Sequence, residues 1–156
     1  MLTHLDEDGR PAMVDVSGKA PTRRTARAEA VVDLPPEARA LFRDGEIHSA
    51  KGPVFHTAVL TGTMAAKRTS DLLPLCHPLP LEKCTFDIRM DEEGDRVIIR
   101  CEVATHHRTG VEMEALAGVS GAALAIYDML KGLSHDIVIR ETRLLSKEGG
   151  RRDFAR

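Results

Sequence analysis

Three kinds of residue in this chain could do chemistry: thiols and imidazoles, cations able to hold phosphate, and carboxylates placed where a helix would present them. Cys76-His77, Cys84, Cys101, His106 and His107 form the first group. None stands at C-x-x-C or H-x-x-x-H spacing, and adjacent Cys76 and His77 would rarely hold one ion together. The cysteines therefore read as small core residues, and no metal site is expected. His77 differs, being a polar ring on a rigid turn between Pro74 and Pro78; it suits either a site or a hydrogen bond within the turn. For phosphate, the glycine cradles G-x-x-x-x-G-K-[ST] and G-x-G-x-x-G are both absent. Dispersed cations remain: Arg24, Lys51, Lys67, Arg68, Arg108, Lys131 and Lys147. If several converge they would hold a polyphosphate by charge and by Arg forks; if they do not, they are a solvated basic surface. Lys51 stands out because Gly52-Pro53 follows and a helix begins there. Glu112 and Glu114 could read a guanine-like N–H edge, or serve as acids suited to a helix start. Asp128 sits at the wrong end of the same helix, facing the negative pole of its dipole. That placement invites a functional role, the alternative being a simple i, i+3 pair with Lys131 on an exposed last turn.

The stretch Thr109–Gly132 must position the last of these groups. It carries no charge from Ala115 to Tyr127, so a helix here is apolar or small on every side and has to be buried. Gly118 with Ala122, and Gly121 with Ala125, give it a smooth side for close approach of another backbone. Before it, Ala26, Ala28, Ala30 and Val32 alternate with polar positions as a first strand, and Pro35-Pro36 opens a short helix with Ala38, Leu41 and Phe42 on one side. A second helical pattern starts at Lys51-Gly52-Pro53 and runs through AAKRTSDLL until Pro74. Cys84–Met90 and Val97–Val103 alternate about the turn DEEGD, a hairpin with one buried face, and THHRTG reads as a polar loop. Ile137, Ile139 and Leu145 mark a last strand. Strand, helices, strand, strand, helix, strand is the order of an α+β fold, a ferredoxin-like split βαβ sandwich. Such a fold has a mainly antiparallel sheet with helices on one face. Arg89, Arg96 and Arg100 would then lie on the open face. We expect a single domain over residues 1–156, with an irregular N-terminal segment at 1–24 and a loose tail at 147–156.

Composition narrows the function classes. A net charge of −2 and 3% aromatic residues argue against a nucleic-acid binder. The odd cysteine count suits a reducing compartment. No apolar leader precedes Pro11 and the longest uncharged stretch is short of a bilayer span, so a cytoplasmic protein with no membrane partner is expected.

Four segments, MVDVSGK, AAKRTSDLLPLCHPL, TGVEMEALAGVSGAALAIYDMLK and VIRETRLLSKEGG, occur in this order over nearly the whole chain. They resemble the cyclic pyranopterin monophosphate synthase family, also called molybdenum cofactor biosynthesis protein C. The chain departs from the family pattern at His106-His107, at Leu130 and in a shorter tail after Gly150. The resemblance implies a ferredoxin-like protomer assembled as a hexamer, a trimer of dimers with sites at the dimer interfaces. It implies conversion of 3′,8-cyclo-7,8-dihydroguanosine 5′-triphosphate into cyclic pyranopterin monophosphate with release of diphosphate. No resident cofactor is implied, though Mg2+ can accompany the triphosphate. It further implies Lys51, Asp128 and Lys131 as catalytic residues. The implied substrate contacts are Leu75, Cys76, His77, Glu112, Met113, Glu114 and Arg24.

Overall fold

The computed structural model describes residues 5–156. Its first strand, β1 (Thr22–Asp33), already begins inside the segment expected to be irregular up to residue 24. The small, short α1 (Pro36–Arg39) follows, then three short strands, β2 (Phe42–Arg43), β3 (Glu46–Ser49) and β4 (Gly52–Pro53). Next come α2 (Val54–Lys67) and the one-turn α3 (Thr69–Leu72). The hairpin β5 (Lys83–Met90) and β6 (Arg96–His107) leads to α4 (Glu112–Leu130), β7 (Val138–Glu148) and β8 (Phe154–Ala155). The main sheet has the order β5-β6-β1-β7-β8, every pairing antiparallel. β1 and β5 are therefore split by β6, the connectivity of a ferredoxin-like α+β fold.

Several local expectations need correction. Phe42 belongs to β2 rather than to the face of a helix, because Asp44 and Gly45, both at positive φ, turn the chain into a tight hairpin. The helical run breaks at Arg68, whose φ of −112° lies off the helical region. Thr105, His106 and His107 continue β6 opposite Arg24, Arg23 and Thr22, so only the last residues of THHRTG form a loop. The tail is not loose: Phe154 and Ala155 return to pair with Lys147 and Ser146.

One face of the sheet carries the core. Ala26, Ala28 and Ala30 are fully buried on β1, and such small side chains let α4 lie close upon the strand. From α4, Ala115, Val119, Ala122, Ile126 and Leu130 fill that interface with no exposure, meeting Val97, Ile99 and Val103 of β6. At 19 residues α4 is long and apolar enough to cross a membrane by length and composition, although its uncharged part, Ala115–Tyr127, is short of a span as expected. Here it is the core helix, covered by the sheet and by α2. The smooth Gly/Ala side is likewise used within the chain. A Cβ at Gly121 would come within 2.6 Å of the Ala65 Cβ, and one at Gly62 within 2.8 Å of the Gly118 carbonyl oxygen. Backbones of α2 and α4 thus approach where only glycine fits.

The open sheet face carries the arginines, but paired. Glu29, 4% exposed, accepts from Arg100 Nε at 2.8 Å and Arg143 Nη2 at 2.7 Å. Asp33 binds Arg96 at 3.1 Å and also Arg140. A second buried carboxylate, Glu46, seats the start of α2. Its oxygens accept from the N–H groups of Ile47 and Phe55 at 2.7 Å, from that of His56 at 3.1 Å, and approach His56 Nδ1 at 2.6 Å. Burial opposes its ionisation, yet these donors outweigh burial and hold the carboxyl below its usual range.

Candidate functional site

Most of the catalytic and substrate-contact candidates fall into two groups, one at each end of α4. The first gathers at its C-terminus. Ser49 Oγ, donating to the Gly52 carbonyl at 3.0 Å and accepting from Lys51 N at 3.1 Å, braces the β3–β4 turn, and Gly52 takes a φ of 111° that other residues rarely adopt. This turn aims Lys51 at α4. Its Nζ donates to the Asp128 carbonyl at 2.9 Å and lies 3.8 Å from Asp128 Oδ2, while Lys131 Nζ lies 2.7 Å from Oδ1. Two ammonium groups therefore flank one carboxylate and one of the terminal carbonyls of the helix. The i, i+3 pair anticipated as the simple alternative does form, on an exposed last turn. Lys51 adds to it from 77 positions earlier in the chain.

Neighbouring charges rather than burial tune this group. The Asp128 side chain is 62% exposed. Its carboxyl is held below the usual range by the hydrogen bond from Lys131, by the Lys131 charge and then by Lys51. Lys131 is raised in turn, chiefly by that same hydrogen bond.

The second group lines a cavity of about 290 Å³ at the start of α4. Leu75, Cys76 and His77 enter from the segment after α3, and Glu112, Met113 and Glu114 from the first turn of the helix. Val14, Val16 and Lys19 of the MVDVSGK segment complete the wall, a contribution that sequence reasoning did not assign. Thr109 and Gly110 also line it. A Cβ at Gly110 would collide with the Glu112 carboxylate, so the glycine lets that side chain fold back over the loop. Lys147, counted among the cations but given no role, pairs with Glu112 Oε1 at 2.8 Å. Its position comes from the end of β7, where pairing with Phe154 holds the strand. Glu114 is 5% exposed and its carboxyl is pushed up to about 7, by burial first and then by the neighbouring Glu112 charge, against its own backbone N–H. Cys76 is raised as well, by burial and by the Glu114 charge.

Arg24 joins neither group. Its Nε donates to Thr22 Oγ1 at 2.7 Å, and its guanidinium lies beside Gly150. Cys84 and Cys101 lie on the inner face of the β5–β6 hairpin, where the neighbouring Cys84 thiol first, and then burial, raise the Cys101 thiol. Among the described residues, the trio of carboxylates close enough to share an ion, Asp91, Glu93 and Asp95, lies in the β5–β6 turn and not at either group.

Within the chain the two groups are far apart. From Glu112 to Asp128 the helix rises about 24 Å, at 1.5 Å per residue. Between them runs an apolar groove of about 700 Å³ along the outer side of α4, lined by Met64, Leu72, Leu73, Met113, Leu116 and Leu124. Met113 is shared with the cavity, and Leu124 also lines a smaller pocket beside Asp128. Leu72 at 73% and Leu124 at 62% exposure are too apolar to be left to water without reason.

Comparison with known proteins identifies relatives over nearly the whole chain. The chain is 57% identical over 154 residues to the cyclic pyranopterin monophosphate synthase of Xanthomonas oryzae pv. oryzae, covering 98% of this chain and 92% of the relative. It is 50% identical over 150 residues to the synthase of the same name from Thermomicrobium roseum, covering 96% and 89%. A molybdenum cofactor biosynthesis bifunctional protein from Synechocystis is 47% identical over 158 residues, spanning 99% of this chain but 46% of that longer protein. The family model described as MoaC matches residues 13–150, from the first wall of the cavity to the glycines beside Arg24, and the chain belongs to the MoaC family.

Proposed function

We propose that this chain is a cyclic pyranopterin monophosphate synthase, a lyase of molybdenum cofactor biosynthesis. It takes 3′,8-cyclo-7,8-dihydroguanosine 5′-triphosphate to cyclic pyranopterin monophosphate and diphosphate. The observation that carries the reading is the convergence on Asp128 of Lys51, from 77 residues away, and of Lys131, three residues on. The reaction opens one ring, builds another and closes a cyclic phosphate, so protons must be moved by positioned groups. Asp128, kept ionised by its two ammonium neighbours, is the base that accepts a proton and later returns it. Lys51 and Lys131 are the acids nearest to it, and their charge stabilises the phosphate oxygens as diphosphate departs. His77, Glu112, Met113 and Glu114 hold the base end of the nucleotide, where carboxyl groups match adjacent N–H donors. Arg24, apart from both groups in the protomer, supplies positive charge toward the phosphates in the assembly. No resident cofactor takes part, and Mg2+ arrives with the triphosphate.

The working unit is a homo-oligomer, a cytoplasmic hexamer built as a trimer of dimers, with the substrate between two copies. A two-fold axis across the apolar groove sets two α4 helices antiparallel, so the Asp128 end of one meets the cavity end of the other. This arrangement unites groups that a single protomer keeps about 24 Å apart. Incubating purified protein with the cyclised nucleotide and measuring diphosphate release tests the function. Release abolished by Asp128→Asn, with the assembly unchanged in size, is expected. Ligand binding without release would instead mark a non-catalytic nucleotide module.

A further inference from the structure

The start of α4 carries two carboxyl groups in sharply different surroundings. Glu112 has a counter-ion, Lys147 at 2.8 Å. Glu114, two positions on and 5% exposed, lines the cavity. No ion pair to Glu114 forms among the described residues. Cys76 and His77 line the same cavity from the segment after α3, and Lys19 from the N-terminal segment. Glu112 adds a like charge from the same helix, and Lys147 from β7 is engaged with Glu112. When two acids in one site are treated so differently, their protonation states separate.

We propose that Glu114 holds a proton in the empty cavity and gives it up when a ligand edge of adjacent N–H donors, of the guanine type, is seated on it. An ionised carboxylate can accept from both donors of such an edge, whereas a carboxylic acid has to spend one oxygen on its own proton. The proton leaves Glu114 for solvent and no other bond changes. Burial and the Glu112 charge, which push the carboxyl to about 7, put the exchange in the physiological range. The choice of ligand edge rests on the function proposed above; the titration of Glu114 does not.

The test uses the purified full chain in its native assembly. Infrared difference spectra of wild type against Glu114→Gln, from about pH 5.5 to about pH 8.5, should show a protonated carboxyl stretch that fades with a midpoint near 7. Affinity for 3′,5′-cyclic GMP, whose phosphodiester does not titrate in this range, should weaken in wild type by about tenfold per pH unit below that midpoint. In Glu114→Gln the dependence should be flat, whereas His77→Gln should keep it. Absence of the protonated band from the wild-type spectra overturns the proposal. So does a slope that survives in Glu114→Gln, or cyclic GMP that fails to bind wild type at about pH 8.5. Both readouts present in a protein that releases no diphosphate would uphold Glu114 and overturn the function instead.

Discussion

Mixing two inactive variants gives the sharpest test of a site shared between copies. One variant carries His77→Ala and Glu112→Gln, which disable the cavity end of α4. The other carries Lys51→Ala and Asp128→Asn, which disable the far end, about 24 Å away along the helix. If each site takes its cavity from one protomer and its Lys51–Asp128–Lys131 group from the partner, random co-assembly restores some sites. A site is intact only when its cavity comes from the second variant and its catalytic group from the first. At equal expression each condition is met half the time, so about one quarter of wild-type diphosphate release should return. The assay is co-expression with two affinity tags, tandem purification of mixed assemblies and diphosphate release under saturating substrate. Separately purified variants mixed without subunit exchange are the control and should stay inactive. Activity of the mixed assemblies no greater than that of the parents would refute the shared site, since a site wholly within one protomer cannot be rebuilt by mixing.

Three further outcomes concern stability. Native Glu114 binds its proton more tightly than the unfolded chain, so its burial costs stability as pH rises from about 4.5 to about 7. Glu114→Gln should therefore be more stable than wild type at pH 8, by up to about 3 kcal/mol, with the difference vanishing near pH 4 in urea melts. Gly121→Leu drives a side chain into Ala65, where even a Cβ would be 2.6 Å away. It should destabilise by about 1–3 kcal/mol or more, whereas Gly132→Ala, with nothing within 4 Å, should not. Glu29 is opposed by burial but held below the usual range by Arg100 and Arg143, so its contribution is complete above the unfolded carboxylate range and lost as pH falls through the native value. Glu29→Gln should cost about 1–3 kcal/mol at neutral pH and flatten acid unfolding in that window.

The sequence by itself determined the sheet and the core helix, because both rest on local periodicity. Alternation at Ala26–Val32 and Cys84–Met90 admits one buried face, and an uncharged run from Ala115 to Tyr127 has no stable place but the interior. Family motifs named the site residues without locating them. Where the chain depended on distant partners, sequence reasoning fell short. Nothing local to KEGGRRDFAR reveals that Phe154 will pair with Lys147, and a glycine-lined helix does not declare whether α2 or a second copy will cover it. The same holds for proton affinities. Asp128 is held low first by Lys131, a neighbour legible in the sequence, and then by Lys51 from 77 residues away, which is not, while Glu114, equally plain in the sequence, is the carboxyl that the fold deprives of water and of a counter-ion. Charge state follows from desolvation and from neighbours in space, and only tertiary packing sets either.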